Sequence, residues 1–477
     1  MSLGLFQVLN MSARAMDVQQ AGIEVTGQNL SNVNNPNYSR QVLNVGTSTS
    51  VATNVGIEGT GVQAEGVQQI VNQALNTQIQ AENSASSYWT TQQQALQFAQ
   101  AELGQQVTSA STSSSDSSQG IASSLSTFFN ELQNLSVDPS SLSERQVVIG
   151  DASTLASQFN QVSQQLSSLT SQLNSQLQTD VSNANQDLSE IASLNNQIVM
   201  AQVTTNSSPN DLLDEREETI ENLANLVNIN VSPQTNGSVN ISIGGVQMVS
   251  GNSVTNTLNV YDAGGGQMLV DASNGEEMTP LTLTGGSMAG EIDARDGPVA
   301  TLNANLDTLA EQLINSVNEI YSKGYSLPNS SGVSTTGEPF FYGSDASNIT
   351  VNPDLANDPS LFQASGTEGD TGDNTIALKM AQLANQPIDG LNNQTFSQSY
   401  DGTVATMGQS LASANNQVSD QSTVQEMLTQ QRNSISGVSL VEEMGNLSAY
   451  QTAYEAGAHL MNAVDQMLQT LVTLQTS

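Results

Sequence analysis

The chain of 477 residues has no cysteine, one histidine, 4% aromatic residues, and eight lysines and arginines against 45 aspartates and glutamates. Without cysteine it has no structural disulfide, no thiolate metal site and no cysteine nucleophile. The lone histidine, His459, leaves no multi-histidine metal site within one chain. Beside Tyr454 and Met461 in a helical stretch, it reads as a surface or interface residue. A formal net charge of −37 repels phosphate backbones and anionic lipid alike, which excludes nucleic acid as a partner. No uninterrupted apolar run reaches the ~20 residues of a membrane span, so no membrane insertion is expected. Residues 1–20 carry no basic leader, and Asn10, Ser12, Arg14 and Asp17 interrupt their apolar stretch. Export without a cleaved signal peptide is the expectation. With 37% hydrophobic residues but few rings, the cores must be built from Leu, Val, Ile, Ala and Met, which suits helix packing better than a deep ligand pocket.

What the chain does have is a matched pattern at its two ends. Leu9, Met16, Ile23 and Leu30 recur every seventh residue, which keeps one helix edge against a partner. Leu440, Met444, Leu447, Tyr454, Ala458, Met461 and Leu468 repeat the rhythm at the other end. A coiled coil between the chain's own termini follows, in the plan of a polymer subunit. A second stripe on the first helix (Met11, Ala15, Val18, Gly22, Val25) calls for more than one neighbour. The expected assembly interface comprises Leu5, Leu9, Met16, Val18, Ile23, Val25, Leu30, Pro36 and Tyr38 with Leu440, Met444, Leu447, Tyr450, Tyr454, Met461, Val464, Leu468 and Leu471. Alone in water such helices are marginal, so order on assembly is expected.

Between the ends the periodicity divides the chain. Residues 1–66 read as the N-terminal helix, broken at Asn34-Asn35-Pro36-Asn37, followed by an extended arm and a glycine-punctuated loop or hairpin. Residues 67–228 read as a helical bundle with a Ser-rich break at 107–119, and Trp89 as a packing residue. Leu155, Phe159, Val162, Leu166, Leu169, Leu173 and Leu177 form its most regular stripe. Over 229–297 the period falls to two, and Asn236-Gly237 and Gly244-Gly245 mark turns of an antiparallel β insertion. A bundle helix is expected at 298–323, an irregular outer region at 324–401 with a short helix near Ile376–Ala384, and a second bundle helix at 402–436. The C-terminal coiled-coil helix closes the chain at 437–477. The fold class is mainly α with an inserted antiparallel β domain, a long helical bundle, and N- and C-terminal helices forming a coiled coil.

Catalytic chemistry has little to stand on. The densest carboxylates, Asp211, Asp214, Glu215, Glu217 and Glu218 around Arg216, spread around one helix and read as a solvated face. A glycosidase pair needs carboxyls from separate elements beside aromatic sugar platforms. The acidic stretches at 271–277 and 368–374 lack the glycine and glutamate placement of a calcium loop and read as turns. Gly264-Gly265-Gly266 lacks the lysine and following helix of a phosphate loop. No catalytic, cofactor-binding or metal-ligating residue is assigned, and no cofactor or enzymatic activity is expected.

Residues 29–41 (Asn-Leu-Ser-Asn-Val-Asn-Asn-Pro-Asn-Tyr-Ser-Arg-Gln) resemble the N-terminal signature of the bacterial flagellar axial family. Four further features resemble its hook-associated members: the ending Tyr38-Ser39-Arg40-Gln41; Asn210-Asp211-Leu212-Leu213-Asp214-Glu215-Arg216; Gly285-Gly286-Ser287-Met288-Ala289-Gly290 with Asp293, Arg295 and Asp296; and 436–444 with Tyr450-Gln451 and Tyr454. Asn37 stands where the family often has glycine, and Val441 where it often has aspartate. The resemblance spans the chain in order and implies a structural subunit of the flagellum at the hook–filament junction. Its implied partners are further copies of itself, the hook protein, the second junction protein, and a cytoplasmic export chaperone held on the C-terminal helix. It also implies export by the flagellar type III route. Another axial protein, either hook protein or second junction protein, and more distantly a secreted wall or glycan hydrolase, remain the alternatives.

Overall fold

The structure is a computed structural model that describes residues 2–53, 56–103, 120–205, 208–275 and 277–476. Helix α1 (Ser2–Ser31) stops at an asparagine-rich turn before Pro36, as the restriction on a residue preceding proline requires. Strands β1 (Gln41–Thr47), β2 (Val51–Thr53), β3 (Gly56–Glu58) and β4 (Val62–Gln69) follow as an antiparallel ribbon, in which β1 pairs with β4 and β2 with β3. Helix is expected from Val67, but Val67–Gln69 lie opposite Gln41–Leu43 in that ladder. The helix α2 (Gln73–Glu102) begins instead where Asn72 Oδ1 accepts the N–H groups of Ala74 and Leu75.

The body continues with α3 (Ile121–Leu135), α4 (Leu142–Thr205) and α5 (Asn210–Leu226). At 64 residues, α4 is a rod of roughly 95 Å. The Ser-rich break at 107–119 lies outside the described residues. The β insertion is two small antiparallel sheets. One holds β5 (Ile229–Pro233), β6 (Val239–Ile243), β7 (Val246–Ser250) and β8 (Ser253–Val254) in sequence order. The other holds β9 (Thr257–Asp262), β10 (Met268–Ser273) and β11 (Met278–Pro280). Gly244 and Gly245, both at positive φ, form the tight link from β6 to β7.

Helix returns at α6 (Gly286–Ala294), passes through a π-helical turn (Arg295–Val299) and continues as α7 (Ala300–Tyr321). The expected start at 298 is therefore twelve residues late. Pro298 sits inside the widened turn, where its missing N–H is accommodated. The segment expected as an irregular outer region contributes β12 (Phe341–Tyr342), β13 (Thr350–Val351), α8 (Pro353–Asn357) and α9 (Thr375–Gln382). It also packs into the body. Phe340, Phe341, Phe362, Ile376 and Met380 are buried with Phe128, Phe159 and Leu313 in one core. Rings meet there at 4.7 Å (Phe340–Phe341), 5.2 Å (Tyr321–Phe340) and 5.4 Å (Tyr321–Phe362). Arg145, 1% exposed, clips the segment to the start of α4 by donating to the carbonyls of Pro139, Ser360 and Phe362. Finally α10 (Phe396–Ser436), with a Thr395–Gln398 capping box, leads to α11 (Leu440–Thr476). A second core joins the middle of α4 (Leu177, Val181, Leu188, Ile191) to the β insertion (Ile241, Val249, Val270).

Candidate functional site

Helices α1 and α11 pack against each other in antiparallel register. A Cβ on Gly22 would lie 2.7 Å from the Tyr450 ring, and one on Gly457 2.8 Å from Met16 Cγ. Asn29 donates to Glu443. In each pair the two numbers sum to 472 or 473, which brings Val464 to the level of Leu9. At each glycine a side chain of the other helix fills the room that a Cβ would need.

The expected interface residues divide into two groups. Val464 (1% exposed), Val18 and Tyr38 are buried, and Leu5, Leu9, Met16, Ile23, Val25, Leu30, Leu447, Tyr450, Met461 and Leu468 are half-buried. Pro36, Leu440, Met444, Tyr454 and Leu471 are exposed, as is His459. Phe6, Val441, Leu460, Met467 and Val472 are exposed too. A single copy of the pair therefore covers one apolar seam and leaves a second apolar surface uncovered.

At the root of this pair lies a polar joint, most of which sequence reasoning missed. Asn29 Oδ1 accepts the Tyr38 hydroxyl at 2.8 Å and the Gln41 N–H at 2.9 Å. Its Nδ2 donates to the Gln41 carbonyl at 2.8 Å and to Glu443 at 3.2 Å. Arg40 gives Nε to Glu443 at 2.8 Å and a terminal nitrogen to Glu442 at 2.6 Å. Its backbone N–H reaches the Ser436 carbonyl at 2.8 Å. Asn29 and Glu443 are almost fully buried, so each needs these partners.

Of the α5 carboxylates, Glu215 and Glu218 are exposed as a solvated face would be, whereas Asp211, Asp214 and Glu217 are the body's half of the same joint. Asp211 accepts from Gln28 and Gln41, Asp214 from the Ser39 N–H at 3.1 Å, and Glu217 from Gln80 at 2.8 Å. Glu221 pairs with Arg432 of α10 at 2.5 Å, and Arg216 donates to Asn195 and the Gly237 carbonyl. A cleft of 350 Å³ between the arm, α5 and α10 is lined by Asn35, Tyr38, Asp214, Glu221 and Arg432.

Burial raises Asp214 to about 6, the two Ser39 hydrogen bonds oppose the rise, and Asp211 adds to it. Burial also raises Glu217 and Glu221. Tyr38 is held protonated, as a donor, by burial and by the charges of Asp211, Asp214 and Glu443. Because Asp214 binds its proton more tightly folded than unfolded, the joint gains stability as pH falls from about 6 towards the ordinary 3.8. Asp214→Asn is expected to flatten that part of the stability profile, measured by urea unfolding across the same range. An unchanged slope would refute the assignment.

Among the described residues no group of three or more His, Asp or Glu side chains is placed to hold a metal ion, and no helix is long and apolar enough to cross a membrane. Asp271 is buried and accepts from Asn259. Asp373 is drawn down to about 2 by hydrogen bonds from Thr375, Thr367 and the Gly366 N–H, and so ties an ordinary turn.

Paired terminal helices with an uncovered apolar side, a helical body on a long rod, a β insertion and a polar joint are the plan of an elongated structural subunit. Residues 107–341 match the family model of the flagellar hook-associated protein FlgK helical domain. Residues 429–474 match that of the flagellar basal body rod FlgEFG protein C-terminal region. The chain is 27% identical over 508 residues to flagellar hook-associated protein 1 of Bacillus subtilis, covering 98% of each. It is 24% identical over 562 residues to the Salmonella typhimurium protein of that name, covering 98% of this chain and all of the relative. The structure of the flagellar hook junction protein FlgK from Burkholderia pseudomallei shares the fold, with a TM-score of 0.64 at 17% identity over 76% of this chain and all of that one. Along nearly its whole length the chain is thus similar to flagellar hook-associated protein 1, and almost half of it matches the helical-domain model of that protein.

Proposed function

We propose that this chain is the subunit that polymerises at the hook–filament junction and links the hook to the filament through the second junction protein. The observation that carries the reading is the α1–α11 pair, apolar on its outer side, in a chain related along its length to hook-associated protein 1. In this reading neighbouring copies cover Leu440, Met444, Tyr454 and Leu471, and the pair lines the channel. The helical body forms the wall and the β insertion sits outside. The same stripe on α11, Leu440 through Leu471, is the surface an export chaperone would hold before assembly. Export runs through the flagellar type III route as an unfolded chain.

No catalytic step is assigned: Asp211, Asp214 and Glu217 accept amide and backbone donors, Glu221 holds Arg432, and Glu215 and Glu218 are exposed. Deleting the gene is expected to give complete hooks without filaments and flagellin free in the medium, with restoration on complementation. Loss of the hooks themselves would move the chain to the rod or hook, and normal filaments would refute the reading.

A further inference from the structure

The two cores meet without merging. On α4 the body core ends at Leu173 and the insertion core begins at Leu177, while on α6 Met288 belongs to the insertion core and Ala294 to the body core. Around that boundary the buried side chains are polar: Asp180, Glu291 and Arg295 are each at most 4% exposed. Arg295 spends its donors on Asp296 at 2.7 and 2.8 Å, Asn174 at 2.6 Å and the Met268 carbonyl at 2.7 Å. Asp180 accepts from Gln176 and the Ser287 hydroxyl. Glu291 Oε2 is buried with no hydrogen-bond partner. Just beyond it the helix opens into the π turn that carries Gly297 and Pro298, a combination at which helices bend.

We propose that this polar boundary is a hinge between the helical body and the β insertion, latched by the protonated carboxyl of Glu291. Protonated, Glu291 is neutral and α6 stays closed on α4. Ionised, it would set a second negative charge beside Asp180 in a dry seam, and the helices must part to hydrate it. Arg295 offsets this only in part. Arg295 is spent as above, Tyr88 of α2 donates to Asp293, Asp271 of β10 accepts from Asn259, and Glu221 of α5 holds Arg432. Asp187, farther along α4, is a further acid, itself raised to about 6 by burial. Burial first, then the Asp180 charge, push Glu291 up to about 9 against the pull of Arg295.

The test uses the full chain, whose lack of cysteine allows clean labelling. Dyes are placed at Val137→Cys beyond α3 and Gly265→Cys in the β9–β10 turn, with and without Glu291→Gln. The label distance is expected to change with a midpoint near 9 in the otherwise unmodified chain and to stay fixed in the Gln variant. Asp180→Asn removes the opposing charge and is expected to move the midpoint down. In unfolding experiments the folded-to-unfolded ratio, relative to Glu291→Gln, should fall roughly tenfold per pH unit between about 4.5 and about 9, then level off, because only the folded chain holds the proton there. A label distance fixed up to about pH 10, or parallel stability profiles for the two proteins, would overturn the proposal.

Discussion

Val464→Asp is expected to exclude the chain from the junction while leaving its helical body folded. Val464 is the one apolar side chain of α11 that is fully buried among the described residues, at the level of Leu9 on α1. An aspartate there loses the apolar contact and buries a charge without a partner, a change that costs about 3–5 kcal/mol where the site cannot open. The pair cannot absorb such a loss alone. Helices α1 and α11 have 30 and 37 residues, and ordering each residue costs about 1–2 kcal/mol before any contact is counted. Their buried apolar side chains are few, so the pair depends on every one of them and on neighbouring copies. Leu9→Asp and Met461→Asp act on half-buried positions of the same seam and should follow with smaller effects. The checks are motility, flagellin in the medium, and the thermal melt of the purified variant. Normal motility with Val464→Asp would sink the seam, and an early melt of the whole chain would show that the body needs the pair.

The terminal pairing was legible because a seven-residue apolar repeat has few other physical uses. The β insertion was legible because the period changes from 3.6 to 2 and the turns carry Asn-Gly and Gly-Gly. The polar joint was much less so. Asn29 and Glu443 are 414 residues apart, and nothing local to either residue says that they meet. Asp214 and Glu217 looked solvated for the same reason: their partners lie on the arm and on α2. Residues 324–401 were misjudged on composition. Their Ser, Asn and Gly dominate the average, but the segment carries Phe340, Phe341, Phe362 and Phe396, and these rings anchor it in the core. In a chain with nine phenylalanines, where the rings sit says more about packing than the polarity around them.

The second large effect is expected from a single methyl group. The stretch 285–290 enters a helix through three glycines, and the structure gives each a steric reason. A Cβ on Gly285 would lie 2.5 Å from Ser84 Oγ, a side chain that can turn away. A Cβ on Gly290 would lie 2.7 Å from the Tyr88 carbonyl oxygen of α2. Gly286 is the worst placed, because a Cβ there would lie 2.4 Å from the Leu226 carbonyl and the Val227 nitrogen, at a φ of +81°. Backbone cannot rotate out of the way, and the left-handed conformation adds about 1–2 kcal/mol for any residue with a side chain. Gly286→Ala should therefore destabilise the chain by about 4 kcal/mol or more, the range reserved for backbone clashes and overpacked cores. The loss should begin where α6 leaves α5 and the β insertion. Gly150→Ala is the control, since that glycine lies inside α4, exposed, with nothing within 4 Å of its Cβ. It should stabilise the chain by up to about 1 kcal/mol through helix propensity. Thermal melts followed by circular dichroism, with hydrogen exchange at 226–229 and 286–290, separate the two. Equal melts for the two alanine variants would mean that α6 can shift away from α5 at little cost, and the close approach would then explain nothing about these glycines.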